Sequence, residues 1–287
     1  MREFVSNFKF IFKKGNRRYI GVTILLIALF IVFMVPVYYL VITTFKTPEE
    51  AALHPMALPT SWNFSSYGEA LEKMNYFNAL KNTMFIAGMT VLINISAASM
   101  ASYALARHRS KLNSFIFMLF VSGMMIPFQM GLSSLFKLMS DLKLVNTPWA
   151  VILVNASGSL ISSIFMMKSF ISSSVPIEIE EAARIDGAGV LGIFFQIVLP
   201  LMKPVIATMS IIVMLGAWND FLNPLLFLME DKKYVLLQQL SKNIGQFSVD
   251  WNSMFPMLVL SVLPLTLVFI FLQRYIISGV VAGAVKG

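Results

Sequence analysis

The residues able to do chemistry in this chain are few, and their types point to binding rather than bond-making. None of the 287 residues is cysteine, so no disulfide, thiolate ligand or thiol nucleophile is available. The two histidines, His54 and His108, lie far apart, and each reads as a loop residue rather than a metal ligand. No glycine-rich P-loop closed by Lys-Ser or Lys-Thr occurs. What remains is of two kinds. One is a charged run, "EIEEAARIDGAG" at 178–189, set between long apolar stretches. The other is a thin scatter of polar groups inside those stretches: Asn94, Gln129, Asn155, Asn219, Asp220 and Asn223, with Trp218 beside the last three. Amides and a carboxylate hydrogen-bond hydroxyl-rich solutes, and an indole packs against a sugar face. The same small polar residues also fasten helices to one another, and for Asn94 and Asn155 both readings stand. Ala97/Ala101 and Ala98/Ser102 read as packing pairs.

The elements that must position these groups are membrane helices. The chain is 57% hydrophobic and 13% charged, with mean hydropathy +0.77, against about 25% charged residues in soluble domains. A helix needs roughly 20 apolar residues to cross a bilayer. Six segments qualify, at about 20–42, 83–106, 114–136, 147–168, 201–222 and 254–275. The basic N-terminus imitates a signal peptide, but its apolar run is longer than the roughly 7–15 residues of such a segment and reads as a retained first span. Lys and Arg divide fourteen to eight in favour of the side holding both termini, which places the termini in the cytoplasm. The net charge of +8 is then a matter of loops, not of nucleic acid. The expected fold is all-α, a single transmembrane domain over 1–287. The segment 169–199 is cytoplasmic, and the long loops about 43–82 and 223–253 lie outside.

Within the cytoplasmic segment, 176–187 predicts a capped helix. Ser173 or Ser174 suits its N-cap and Pro176 its first turn, Glu178, Glu180 and Glu181 suit the positive end of the dipole, and Gly187 suits a left-handed stop. Glu180 and Arg184 are placed to pair within the helix. Glu181, with Ile185 four residues on, is left for another surface, and Ala182 and Ala183 let that surface come close. A second short helix about 190–197, with Leu191, Phe194, Phe195 and Val198 on one face, is expected to lie along the bilayer.

Three stretches carry a resemblance. Glu181, Ala182, Ala183, Gly187, Ile197, Leu199 and Pro200 resemble the "EAA" signature of ABC importer permease subunits, placed before the penultimate span. "EAARIDGAG", "AWNDFLNPLLFL" at 217–228 and "QRYIISGVVAGAVKG" from Gln273 are similar to the carbohydrate, maltose-transporter-like branch, and the likeness covers all six spans. It implies one permease of a heterodimer in a bacterial or archaeal cell membrane, part of a binding-protein-dependent importer. Its partners would be a second permease, two ATPase subunits that bind the ATP and magnesium, and an extracellular or periplasmic binding protein that delivers a sugar. The chain would be no enzyme and hold no cofactor. Glu181, Ala182, Ala183, Ile185 and Gly187 would form the coupling helix that meets the ATPase. The resemblance also suggests that the loop bearing Gln238, Gln239, Asn243 and Gln246 reaches the binding protein, a folded cap being the plainer reading. It suggests too that the tail "GVVAGAVKG" touches the ATPases. A permease for a non-sugar solute is the near alternative. An ion-coupled secondary transporter and a non-transporting assembly subunit are the alternatives of other classes.

Overall fold

The computed structural model describes residues 17–108, 110–244 and 251–284. The described residues are helical, turn and coil, without a strand. The helices are α1 (Arg17–Thr43), α2 (Pro48–Leu53), α3 (Ser65–Lys73), α4 (Tyr76–Arg107), α5 (Lys111–Gly123), α6 (Leu132–Asp141), α7 (Pro148–Gly158), α8 (Leu160–Ser174), α9 (Ile177–Ile185), α10 (Val190–Ile193), α11 (Leu199–Leu201), α12 (Lys203–Trp218), α13 (Leu222–Phe227), α14 (Leu236–Asn243) and α15 (Trp251–Ala284). The chain divides into two compact units, Met1–Ala70 with Gln246–Val259, and Leu71–Gly245 with Leu260–Gly287.

In the first unit the loop after α1 folds on itself. Phe45 sits among Trp62, Phe64 and Tyr67, with ring centres 4.9, 5.1 and 5.7 Å away. Lys46 is buried, and its ammonium donates to the carbonyls of His54 (2.8 Å) and Pro55 (3.0 Å). Thr47 caps α2 by accepting the Glu50 N–H.

In the second unit α4 is the central element, packed against α7, α8 and α12. Most of its buried residues are small or polar (among them Ala79, Ala87, Thr90, Asn94, Ala98, Ser99, Ser102 and Ala106), which lets neighbouring backbones approach closely. The Ala98/Ser102 pair is one of these. Two apolar cores form along α4. Ile86 packs with Ile152, Val154, Phe227 and Val235, while Ala98, Tyr103 and Ala106 pack with Met167, Ile171, Phe194, Val198 and Met209. Thr90 and Asn94 fall between the two.

Three helices, Ile20–Thr43, Tyr76–Arg107 and Met254–Phe271, are each long and apolar enough to cross a membrane. Three bent pairs meet the same test jointly, giving six spans if each pair is one. The first, second and sixth expected segments are thus continuous helices. The others are corrected in form. The segment 114–136 turns through 92° between α5 and the Phe128–Asp141 stretch, where Pro127 stops the first helix. The segment 147–168 is α7 and α8, bent by 43° at Ser159 and running on to Ser174. The segment 201–222 has its one long helix over Lys203–Trp218, after a 74° bend. Ahead of that bend Phe194–Val198 forms a π-turn, in which the Leu199 N–H reaches Phe194 O. Pro200 has no N–H to continue an α-ladder, and the wider turn accommodates it. The expected apolar face over 190–197 is therefore split. Ile193, Phe194 and Val198 turn into the core, whereas Leu191 and Phe195 stay exposed.

Candidate functional site

The break between α12 and α13 determines the site. Asn219 ends α12, its amide donating back to Leu215 O. The chain then leaves helical geometry before α13, which frees Asp220 to turn sideways. Its Oδ2 accepts from Asn155 Nδ2 at 2.9 Å, and its Oδ1 accepts from the Asn223 backbone N–H at 3.2 Å. Asn223 Nδ2 donates to Asn155 Oδ1 at 2.8 Å, closing a triangle between α7 and the α12–α13 corner. All three residues line a cavity of about 500 Å³, together with Thr90, Phe128, Ser159, Ser162, Gly158 and Gly216. A cavity of this size lies within the range that takes small solutes. Thr90 Oγ and Asn223 Oδ1 are buried there without a hydrogen-bond partner.

Of the sequence candidates for a pathway, the structure brings Asn155, Asp220 and Asn223 together. Asn94 is fully buried. Its amide donates to Ala156 O (2.8 Å) and Ser159 Oγ (3.1 Å), and its Oδ1 accepts from Ser163 Oγ (2.7 Å). It fastens α4 to the α7–α8 bend and does not line the cavity, so the packing reading applies to it. Trp218 is buried, Asn219 is exposed, and Gln129 lies exposed on the short turn whose Phe128 faces the cavity. None of these three lines it. Thr90, one helical turn from Asn94, was the lining residue that its ordinary place in a span concealed.

The charged run forms α9, and its N-terminus differs from expectation. Ser173 and Ser174 belong to α8, and Pro176 itself occupies the N-cap with no side-chain cap bond. The C-terminus is as expected. Gly187 has φ +86°, its N–H donates to Arg184 O, and the Ala188 N–H donates to Ala183 O. That is the Schellman arrangement, which needs a left-handed residue at this point. The expected Glu180–Arg184 pair is corrected. Glu180 is completely buried, with Oε2 accepting from Tyr103 OH (3.0 Å) and Oε1 accepting from Arg107 Nε (2.8 Å). Arg107 Nη2 also donates to Val175 O at 2.8 Å. Ala183, three residues on, packs against the core on the same face. Glu181, Ala182 and Ile185 remain exposed, Ile185 by 87%. Sequence reasoning missed Tyr103 and Arg107. The available signal was a basic residue ending an apolar helix, which served only as a topology marker.

The loop after α13 folds inward. Gln238 Nε2 donates to Pro224 O and Leu228 O, and its Oε1 accepts from the Val235 N–H. Gln239 Nε2 donates to Asp231. Both side chains are buried, which corrects their expected readiness for a partner, and of the described residues in the set Asn243 alone is exposed. Gln246 and Val285–Gly287 of the tail lie outside the described residues. Asn146, at φ 60°, joins this loop to the one before α7. Its N–H donates to Phe227 O (2.7 Å), its Oδ1 accepts from the Met229 and Glu230 N–H groups, and its carbonyl accepts from Lys233 Nζ. Lys232, Lys233 and Asn146 all bond the Glu230 carboxylate, and they hold its pKa down at about 2.

The family model described as "Binding-protein-dependent transport system inner membrane component" matches residues 93–281. The chain is 36% identical over 253 residues to the melibiose/raffinose/stachyose import permease protein MelC of Bacillus subtilis, covering 88% of this chain and 91% of that one. It is 36% identical to the arabinooligosaccharides transport system permease protein AraQ of Halalkalibacterium halodurans, with 74% and 75% covered. Its backbone is similar to that of a bacterial ABC transporter involved in the import of the acidic polysaccharide alginate, with TM-score 0.79, 22% identity, and 92% and 99% of the two chains covered. This chain belongs to the family of inner membrane components of binding-protein-dependent transport systems.

Proposed function

We propose that the chain is one of two permease subunits of an ATP-driven importer of sugars or short oligosaccharides, and that it provides half of the pathway. The observation that carries this is the cavity of about 500 Å³ lined by Asn155, Asp220 and Asn223 in an otherwise apolar helix bundle. Its lining offers a carboxylate, amides and hydroxyls, the groups that replace water around a polyol, and the named relatives serve oligosaccharides. The chain has no P-loop, so ATP and magnesium are held by an ATPase pair, and α9 is the coupling helix through which their closure reaches the spans. In this reading Glu181, Ala182, Ile185 and Gly187 meet the ATPase, while Ala183 seats the helix from behind. Both termini and α9 are cytoplasmic, and a binding protein delivers the solute from the other side. Asn243 is an exposed amide on that side.

The test is uptake of labelled raffinose into vesicles carrying the assembled complex and its binding protein. Uptake should require ATP on the side of the ATPases and persist with ionophores. Uptake that ignores ATP and stops with ionophore would overturn the proposal in favour of an ion-coupled carrier. ATP-driven uptake of a non-sugar solute alone would overturn the substrate class.

A further inference from the structure

The buried carboxylate of Glu180 has no place in the docking surface, since α9 offers Glu181 and Ile185 outward and hides Glu180. Covalently, α9 is tied to its neighbours through two short non-helical links. Val175–Pro176 joins it to α8, and Gly187–Gly189, with Gly187 left-handed, joins it to α10. A nine-residue helix held only at such links would swivel when pushed, and the bundle would not feel the push. Beside the apolar contact of Ala183, Glu180 supplies a polar attachment to an element not adjacent in the chain. It reaches Tyr103 and Arg107 in the last turns of α4, and Arg107 in turn reaches Val175 O at the end of α8. The Tyr103 ring lies 5.4 Å from that of Phe194, in the π-turn leading to α12. Four elements thus meet at one ion pair with both partners nearly sealed from solvent. A buried pair of this kind cannot part without stranding a charge, so it moves as a unit. Further along the same helix α4 lie Asn94, which holds the α7–α8 bend, and Thr90, which lines the cavity.

We infer that Glu180 is a positioning residue that locks α9 to α4 through Tyr103 and Arg107, so that displacement of α9 is delivered to the helix beside the cavity. The inference rests on the reading of α9 as the ATPase contact. Its test uses the absence of cysteine from the chain. Ser162→Cys places a single thiol on the cavity wall, where a membrane-impermeant maleimide reports the cavity's accessibility. The complex of both permeases and the ATPase pair is reconstituted, and the labelling rate is compared before and after trapping with ATP, magnesium and vanadate. With Glu180 present, trapping should change the rate by about tenfold, an ordinary size for coupled sites. Glu180→Gln should hold that change below about twofold, while the ATPase still co-purifies and the permease inserts at native abundance. A merely structural loss would move the last two and not the first alone. Tyr103→Phe keeps the ring against Phe194 and removes one hydrogen bond, and it should give an intermediate response. It decides the matter if Glu180→Gln fails to insert. A full response in whichever variants insert would overturn the inference and leave the docking reading intact. No response with Glu180 present would mean that the docking reading had failed, and the inference with it.

Discussion

At the scale of single residues, two adjacent glutamates have opposite duties. Glu180 is sealed against Arg107 and Tyr103, whereas Glu181 is exposed. Glu180→Lys would set a second cation against Arg107 in a buried site. Breaking a buried pair costs about 3–5 kcal/mol, so this variant should be depleted from the membrane, as quantitative immunoblotting would register. Glu181→Lys puts its charge in solvent and should insert at native abundance while abolishing ATP-driven uptake. Normal uptake by the Glu181 variant would remove the docking role, and normal abundance of the Glu180 variant would contradict the burial. The sequence alone pairs Glu180 with Arg184, because a pair four residues apart within one helix is visible in sequence. A partner 73 positions away is not.

At the scale of elements, α12 and the loop after α13 yield separate expectations. Gly216 lies on the cavity wall, and a Cβ there would meet no atom within 4 Å outside its own helix backbone. Leucine is a better helix former than glycine, by roughly 0.5–1 kcal/mol. Gly216→Leu should therefore leave insertion unchanged and narrow the cavity, lowering the uptake rate without lowering ATPase binding. Unchanged uptake would show that solute does not pass this wall. The loop depends instead on Glu230, whose pKa is pulled from the ordinary 4.5 to about 2 by Lys232, Lys233 and Asn146. A depressed acid stabilises the folded form above its unfolded value, and the benefit disappears as pH falls through the folded one. The protection factors of the Met229 and Glu230 amides, which are exchange rates corrected for the intrinsic pH dependence, should fall between about pH 4.5 and pH 2, an acceleration relative to the unfolded chain. In Glu230→Gln that acceleration should be absent.

At the scale of the whole molecule, the prediction is an orientation. Cysteines introduced at Ile185 and Asn243, one at a time, should label from opposite faces of sealed vesicles, with Ile185→Cys on the face carrying the ATPase. Labelling of both from one face would overturn the assignment of α9 to the cytoplasm and of the α13–α14 loop to the far side. The bundle between them is built around α4, whose small residues admit close neighbours and whose two apolar cores leave a polar layer at Thr90 and Asn94.

The sequence by itself determined the features that rest on local composition and spacing. Twenty apolar residues in a row suffice to propose a span, and α1, α4 and α15 follow such runs. A helix stop at Gly187 needs only a residue that tolerates positive φ, and the chain places glycine there. The closeness of Asp220 and Asn223 was likewise legible, since they are near neighbours in the chain, although Asn219 beside them turns away from the cavity. Only the tertiary structure decided which polar groups face a cavity and which face a neighbour. Asn94 and Asn155 look alike as isolated amides in apolar helices, yet one satisfies itself against α7–α8 and the other meets Asp220 across the cavity wall. The sharp bend at Met202 and the inward turn of Gln238 and Gln239 belong to the same class. So does the joining of Glu180 to Arg107. A hydrogen bond's partner is fixed by what the packed helices bring within 3 Å, and spacing along one strand of chain carries no record of that distance.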